Sequence, residues 1–547
     1  MQLVVLMVAG WLQSVSLAWP FGSEIPFLGI LRGQSLWWLQ LLAMAVFAKS
    51  LLSANSMKQA AWRSWVFSTA WMCGSIWWLY ISMHTYGGLP SWLAAFAVLL
   101  LSSCLALFYM LVCMIFHQIT INNIKIKANS ALAGAFTACV AIIFAACWML
   151  AEMARGTWLT GFPWGAIGYA HVDGPFAILA PYVGVYGMSF VTAYAAMLVM
   201  QLLMSVFRKP NNPVIFQSAA IAALLLVLPK LAPPVASPTV GKTPPLQGTA
   251  IQVTLLQGNI PQNEKFQAGT GMATALSWYA EQLDKVQTGL VVTPETAIPL
   301  LPQNLPPDYL LKIQQPFKAA NGQKAALIGI PVGSRATGFS NSVMGFKPTP
   351  LALTAPYQYD KHHLVPFGEF IPPFAQWFID LMKMPLGSFN RGGLNQAPFY
   401  WQGERLGLNI CYEDLFGEEL AQRFANPATA PTILVNLTNI AWFGDTVAID
   451  QHLNIARLRS MELSRPSIRA TNTGATVIID AQGKVTQSLE RHTRAVLIGK
   501  VQGHTEITPY AWWASQFWLW PLWLIGLVCV FWHKTYNYAQ QKWKNNT

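Results

Sequence analysis

The chain has 547 residues, 54% of them hydrophobic and 10% charged, with a formal net charge of +12. Soluble domains carry roughly a quarter of their residues as charged side chains, so this composition excludes an ordinary soluble protein and points to a membrane one. The positive balance requires no nucleic-acid partner, because cations in short loops set membrane topology and the remainder can meet anionic lipid headgroups.

Apolar stretches able to cross a hydrocarbon layer of about 30 Å as helices of about 20 residues are read over residues 3–19, 36–52, 61–82, 93–116, 131–153, 176–207, 214–228 and 512–532. The first has no basic residues ahead of it and is followed by further spans, so it reads as a retained helix and not as a cleaved signal. The short-loop cations fall in alternate connections: Lys49, Lys58 and Arg63, then Lys125 and Lys127, then Arg208 and Lys209, and finally Lys534, Lys542 and Lys544. Alternate loops share one side, which the cation excess makes cytoplasmic. The long polar insert is therefore expected on the opposite face.

Pro233, Pro234, Pro238, Pro244 and Pro245 separate the seventh span from that insert as a stiff linker would. The expected organisation is a membrane domain of seven transmembrane helices over 1–230 and a linker over 231–247. A catalytic domain over 248–510, a closing transmembrane helix over 511–533 and a cytoplasmic tail over 534–547 follow. Within the insert, short β-rich runs at 251–256, 289–292, 326–330, 406–410, 432–436 and 475–480 alternate with helical stretches at 273–286 and 447–463. This is α/β patterning around largely buried sheets.

The candidate chemistry lies where those runs end. Glu295 follows one strand, Cys411 follows another, and Lys361 comes from the polar run between them. Cys411 is the one cysteine of seven outside a long apolar run; Cys73, Cys104, Cys113, Cys139, Cys147 and Cys529 all lie in expected spans. The insert therefore cannot form an internal disulfide, and Cys411 is either a buried small residue or a reactive one. A thiol with a pKa near 8.5 needs a base or cation beside it to act as a nucleophile. Glu295 is of the type to take its proton, and Lys361, with a backbone N–H such as that of Tyr412, could stabilise an oxyanion. The nine histidines show no metal-ligand spacing, and no glycine-rich phosphate loop is present. No metal or cofactor is expected.

Three segments in order, Thr293-Pro294-Glu295-Thr296-Ala297-Ile298-Pro299, Asp360-Lys361-His362-His363-Leu364-Val365-Pro366-Phe367-Gly368-Glu369 and Ile410-Cys411-Tyr412-Glu413, resemble the Glu-Lys-Cys motifs of the nitrilase (carbon–nitrogen hydrolase) superfamily. With the membrane spans, the resemblance narrows to the apolipoprotein N-acyltransferases. Gln257-Gly258-Asn259-Ile260-Pro261-Gln262, Thr160-Gly161-Phe162-Pro163-Trp164, Ala441-Trp442-Phe443-Gly444 and Thr505-Glu506-Ile507-Thr508-Pro509-Tyr510 extend it over most of the chain. It implies a nitrilase-like αββα sandwich on a multi-span α-helical membrane domain in the bacterial inner membrane, with the catalytic domain in the periplasm. It also implies Glu295 as general base, Lys361 as oxyanion stabiliser and Cys411 as nucleophile, supported by Glu369, Tyr412 and Glu413. Phe266, Asn341, Trp377 and Trp442 are added as candidate substrate contacts. Two positions depart from the family: Phe266 stands where Trp is frequent, and Ile440 where Asp is frequent.

The implied partners are a phospholipid acyl donor, a diacylated apolipoprotein acceptor and the bilayer itself, for a protein expected as a monomer. The segment 380–389, with Met382, Met384 and Pro385, reads either as a lid over a lipid entrance or as a packed helix end. Two other functions compete: a membrane-tethered amidase or nitrilase using the same triad, and a catalytically silent lipid-binding protein.

Overall fold

The computed structural model describes residues 1–22, 29–127, 133–206, 250–318, 322–348, 356–372 and 388–531, without the side chains of 121–138, 205 and 206. The expected seventh span, the proline linker, the C-terminal tail, Trp377 and all but the end of the 380–389 segment lie outside the described residues. The chain divides into two compact units. The first comprises Met1–Trp77, Ala95–Ala236 and Phe517–Thr547, the second Trp78–Ala94 and Ser237–Gln516.

The first unit is helical: α1 (Gln2–Val15), α2 (Trp37–Leu52), α3 (Met57–Ile76), α4 (Ser91–Lys127), α5 (Ala133–Thr157) and α6 (Ala180–Val206). Among the described residues three stretches, Ser91–Thr120, Cys139–Thr160 and Pro175–Met204, are long and apolar enough to cross a membrane. The shorter helices α1 and α2 are apolar as well. Helices α1 and α3 meet through small residues, since a Cβ on Gly10 would lie 2.3 Å from the Phe67 carbonyl and one on Gly74 2.2 Å from Ser14 Oγ. Glu152 and Arg155, the ionisable pair at one span end, satisfy buried polar groups. Glu152 accepts from Trp148 Nε1 and the Ile167 N–H, while Arg155 donates to Tyr109 Oη and to the carbonyls of Phe162 and Trp164.

Two expectations about spans are corrected. The apolar run 61–82 is not one helix: α3 ends at Ile76, and Trp78–Ala94 packs within the second unit. The Trp78 ring sits 4.2 Å from Phe443 and its Nε1 donates to Gln451 Oε1 at 3.3 Å. Apolar side chains that bury against protein have the same hydropathy as those that bury in lipid, so pattern alone extends the span. The last apolar run is not one continuous helix either: it is divided into Pro509–Phe517 and Trp520–Phe531. Pro521 has no N–H and its ring clashes with the carbonyl four residues earlier, that of Phe517, which stops the first helix there.

The second unit holds two six-stranded sheets. Strands β1 (Ile251–Gln257), β2 (Gly289–Val292), β3 (Lys324–Ser334), β4 (Gly338–Phe346), β5 (Tyr357–Asp360) and β12 (Ala495–Val501) form the first, in the order β12-β1-β2-β3-β4-β5. The second is β11-β10-β9-β8-β7-β6, from β6 (Phe399–Trp401), β7 (Glu404–Ile410), β8 (Ile433–Thr438), β9 (Ser467–Thr471), β10 (Val477–Ile479) and β11 (Val485–Ser488). In each sheet three central strands are parallel, β1-β2-β3 and β7-β8-β9, and the flanking strands antiparallel.

Strand alternation builds the layers. Val253, Leu255, Leu290, Val292 and Leu327 point inward onto Leu408, Ile410, Val435, Leu437 and Ile468 of the other sheet. Their neighbours Leu256, Val291, Ala326 and Ile328 point outward onto helices α7 (Gly271–Lys285) and α8 (Tyr309–Lys318) through Ala275, Tyr279, Leu283, Ile313 and Phe317. On the far side Leu434 meets Leu420, Phe424, Leu463 and Tyr510, and Val477 and Ile479 meet Ala456 of α9 (Val447–Leu463). This is the αββα sandwich expected from the sequence. Its parallel strands aim their C-terminal ends at one edge, where open sheets place reacting groups.

Candidate active site

Strand β2 is wholly buried, and the chain leaves it through Thr293-Pro294, where proline ends the ladder. Thr293 ties the exit to β3: its N–H donates to the Leu327 carbonyl at 3.0 Å and its Oγ1 accepts from the Gly329 N–H at 2.9 Å. A Cβ at Gly329 would lie 2.1 Å from the Pro294 carbonyl and 3.0 Å from Glu295 Cα, so only glycine lets the Glu295 turn lie this close. Gly329→Ala should displace Glu295 and lower turnover by about 100-fold, the scale of a 1 Å misplacement in an active site. A kinetic assay beside a thermal unfolding curve checks it; unchanged turnover would show that the turn accommodates the methyl group.

Glu295 is 8% exposed and Lys361, at the exit of β5, is 1% exposed. Lys361 Nζ lies 2.9 Å from Glu369 Oε1 and 3.3 Å from Glu295 Oε1. Asn341, on β4, donates through Nδ2 to the same two oxygens, at 2.7 Å each. Two donors thus bridge two carboxylates. The remaining oxygens are also engaged: Glu295 Oε2 accepts from the Asn439 N–H at 2.9 Å and Glu369 Oε2 from the Val365 N–H at 2.8 Å. Burial works to raise the Glu295 pKa, but Lys361, Asn341, Lys265 and the Asn439 N–H outweigh it and hold the carboxyl below its ordinary value. Burial likewise works to lower the Lys361 pKa, and Glu295 and Glu369 overcome it to hold the ammonium above its ordinary value.

Cys411 closes β7 with φ of +51°, a left-handed conformation that costs a non-glycine residue strain. Its carbonyl is gripped by His452 Nε2 at 3.2 Å and Asn436 Nδ2 at 3.4 Å. His452 Nδ1 faces the Arg469 guanidinium at 3.3 Å. A guanidinium only donates, which assigns the proton to Nε2. Burial, then the neighbouring Arg469, pushes the His452 pKa down to about 4, so the ring is neutral. Arg469 in turn pairs with Asp414, which accepts from Asn409. Burial first and then the Glu295 charge push the Cys411 thiol above its ordinary pKa, against the pull of Lys361 and the Asn439 N–H. The resting pair is therefore a protonated thiol and an ionised carboxylate, an acid and a base awaiting each other.

Glu413, two residues past Cys411, serves as an acceptor. Its carboxylate takes the N–H groups of His362 and Ile410 at 2.7 and 2.5 Å and the Tyr359 hydroxyl at 2.9 and 3.0 Å, fixing the exits of β5 and β7 together. Glu413→Gln turns an NH2 group toward donors, and each donor left unpaired costs about 1–3 kcal/mol. The unfolding midpoint and turnover should fall together; a fall in neither would place Glu413 outside the frame of the site.

The structure draws Glu295, Lys361 and Glu369 into one cluster and brings the charges of all three to bear on Cys411. Tyr412 is buried against His363 and Phe416. Phe266 is 50% exposed, and Trp442 packs its ring against Tyr86 at 5.7 Å. Ile440 is buried beside Gly474. Three participants escape sequence reading: Lys265, whose Nζ donates to the Glu295 carbonyl at 3.2 Å, the Asn439 N–H, and His452. Lys265 lies in a polar run that reads as surface, and a backbone N–H carries no residue signature.

Family comparison gives two matches. The model described as apolipoprotein N-acyltransferase N-terminal domain matches residues 26–198, and that described as carbon–nitrogen hydrolase matches residues 252–510. Among curated proteins, the apolipoprotein N-acyltransferase of Verminephrobacter eiseniae is 50% identical over 93% of this chain and 92% of that protein. Those of Ralstonia nicotianae and Bordetella bronchiseptica are 42% and 38% identical, over 87% and 86% of this chain and 85% and 88% of theirs.

Proposed function

The chain belongs to the apolipoprotein N-acyltransferase family, and from that premise we propose that it moves an acyl chain from a membrane phospholipid through a thioester on Cys411 to the α-amine of a diacylglyceryl-cysteine. The observation that carries the reading is the pairing of a half-buried, strained Cys411 with an ionised Glu295 that Lys361 and Asn341 hold in place.

In the first half-reaction the sulfur attacks the ester carbonyl while its proton passes to Glu295. The S–C bond forms, and the ester C–O bond then breaks as Glu295 returns the proton to the leaving alcohol, releasing lysophospholipid. In the second, the acceptor amine attacks the thioester and gives a proton to Glu295. The N–C bond forms, the S–C bond breaks, and the proton returns to sulfur. The amine has an ordinary pKa near 8, so about a tenth is neutral at pH 7 and the base serves both steps. In each, Lys361 and a backbone N–H such as that of Tyr412 receive the oxyanion; one such donor is typically worth about 3–4 kcal/mol of barrier.

In this reading the protein is a multi-pass chain of the bacterial inner membrane with the two-sheet domain on the periplasmic face, an orientation that the alternate cation-bearing loops support. Phe266 and Trp442 are then substrate contacts at the rim, and the protein acts as a monomer. The test is acyl-labelled phospholipid incubated with the purified protein, with and without a diacylglyceryl-cysteine peptide. Amide-linked label in the peptide is the expected product. Free fatty acid released equally in both tubes would instead make the enzyme a hydrolase.

A further inference from the structure

Lys265 is 2% exposed, and its ammonium donates to the neutral backbone carbonyl of Glu295 at 3.2 Å. Burying an ammonium against a neutral acceptor is costly, and such a group persists where nearby negative charge compensates it. The turn that carries it is anchored: the Lys265 N–H donates to the Pro261 carbonyl, Gln262 Oε1 accepts from Asn439 Nδ2, and Asn472 bonds both the N–H and the carbonyl of Ile260. The ammonium is thus held over the base by contacts to the ends of β8 and β9.

Counting charge shows what it does there. Around the neutral thiol sit two carboxylates, Glu295 and Glu369, and two ammoniums, Lys361 and Lys265. The cluster is balanced. Without Lys265 it carries an excess negative charge, which favours protonating Glu295 and disfavours a thiolate. The same deficit would recur in the second half-reaction, when the thioester is neutral and Glu295 must again be ionised. We propose that Lys265 is a second ammonium of this site, a positioning residue that keeps Glu295 ionised and the Cys411 thiolate within reach in both half-reactions. The inference rests on the assignment of Glu295 as base and Cys411 as nucleophile.

The groups whose charges face Lys265 are Glu295 from the exit of β2 and Cys411 from the exit of β7, with Glu264 its chain neighbour. Burial lowers its pKa to about 8 against the pull of Glu295 and Cys411. The protonated form is the working one, so activity should fall as pH rises through about 8. Lys361, held high by its two carboxylates, does not titrate in that range.

The experiment follows the pH dependence of the first half-reaction, acylation of Cys411 by phospholipid without acceptor, in the full-length detergent-purified protein. Wild type, Lys265→Met and Lys265→Arg are compared. The Met variant should acylate about 10–100-fold more slowly near neutral pH, a loss of charge stabilisation of about 1.4–2.7 kcal/mol. Its acid limb should move to higher pH and its alkaline limb should vanish. The Arg variant keeps the charge and cannot deprotonate, so it should retain most of the rate and lose only the alkaline limb. If the Met variant does not purify folded, the Arg variant alone decides. In parallel, alkylation of Cys411 by iodoacetamide, followed by peptide mass, should need higher pH in the Met variant, whatever reaction the enzyme catalyses. A uniform loss at every pH in both variants, or a wild-type profile in the Met variant, would overturn the proposal. No acylation in wild type with an unchanged alkylation profile would instead refute the transferase chemistry.

Discussion

Cys411→Ala is expected to reduce acyl transfer to background, a loss on the order of 10⁶-fold if the nucleophile behaves as those of other covalent hydrolytic enzymes do. In the proposed pathway the residue bears the only bond to the acyl chain, and no other cysteine among the described residues lies in the two-sheet unit. Alanine meets the same strain at φ of +51° that cysteine does, and the His452 and Asn436 bonds go to the backbone carbonyl, so the fold should survive. Cys411→Ser keeps shape and hydrogen bonding but substitutes a far weaker acid, which Glu295 cannot deprotonate at neutral pH. Both variants should therefore bind substrate without turning over. A serine variant with more than a few per cent of wild-type rate would mean that sulfur chemistry is not limiting.

Lys361→Met is expected to be nearly as damaging, for a different reason. The ammonium lies within 3.3 Å of the buried Glu295 and the part-buried Glu369 carboxylates, and removing one partner from a buried site of this kind destabilises by about 3–5 kcal/mol because the remaining charge has no compensation. Glu295 and Glu369 would then share only Asn341, and two like charges at close range cannot both ionise. One would hold a proton at neutral pH. On the proposed assignment the base is disabled in the same stroke that removes the oxyanion donor, and turnover should fall at least about 10³-fold. The sign of the stability change is testable too. The carboxyls of the variant gain a raised folded-state pKa, so their contribution is present at low pH and lost as pH rises through it. The unfolding midpoint of the variant should therefore approach that of the wild type on acidification; a gap that is constant with pH would argue against carboxylate repulsion.

How much of this the amino-acid sequence discloses depends on where each piece of information resides. Glu295 and Cys411 are legible because each directly follows an apolar strand, and Lys361 because an unusual polar run carries it. The sandwich is legible for the same reason: Leu290 and Val292 face one layer and Val291 the other, a period of two that needs no tertiary knowledge. Lys265 is not legible, since its burial comes from the turn after β1 folding over the exit of β2, a contact between residues thirty positions apart. The clamp on Cys411 depends on His452 meeting a carbonyl 41 residues earlier, and its tautomer on Arg469 from another strand. The helix break at Ile76 hides for a different cause: Trp78 is as apolar as a lipid-facing residue, and only its contacts with Phe443 and Gln451 distinguish it, whereas Pro521 is a visible signal for the break at Phe517.

Passage of the acyl chain through Cys411 is tested most directly by the intact mass of the detergent-purified protein after incubation with phospholipid, beside Cys411→Ala. Wild type should gain the mass of one acyl chain, lose it to neutral hydroxylamine as a thioester does, and lose it again when a diacylglyceryl-cysteine peptide is added and becomes amide-acylated. The alanine variant should gain nothing. An adduct of equal size on both proteins, or none on wild type while the peptide is nevertheless acylated, would contradict passage of the chain through Cys411.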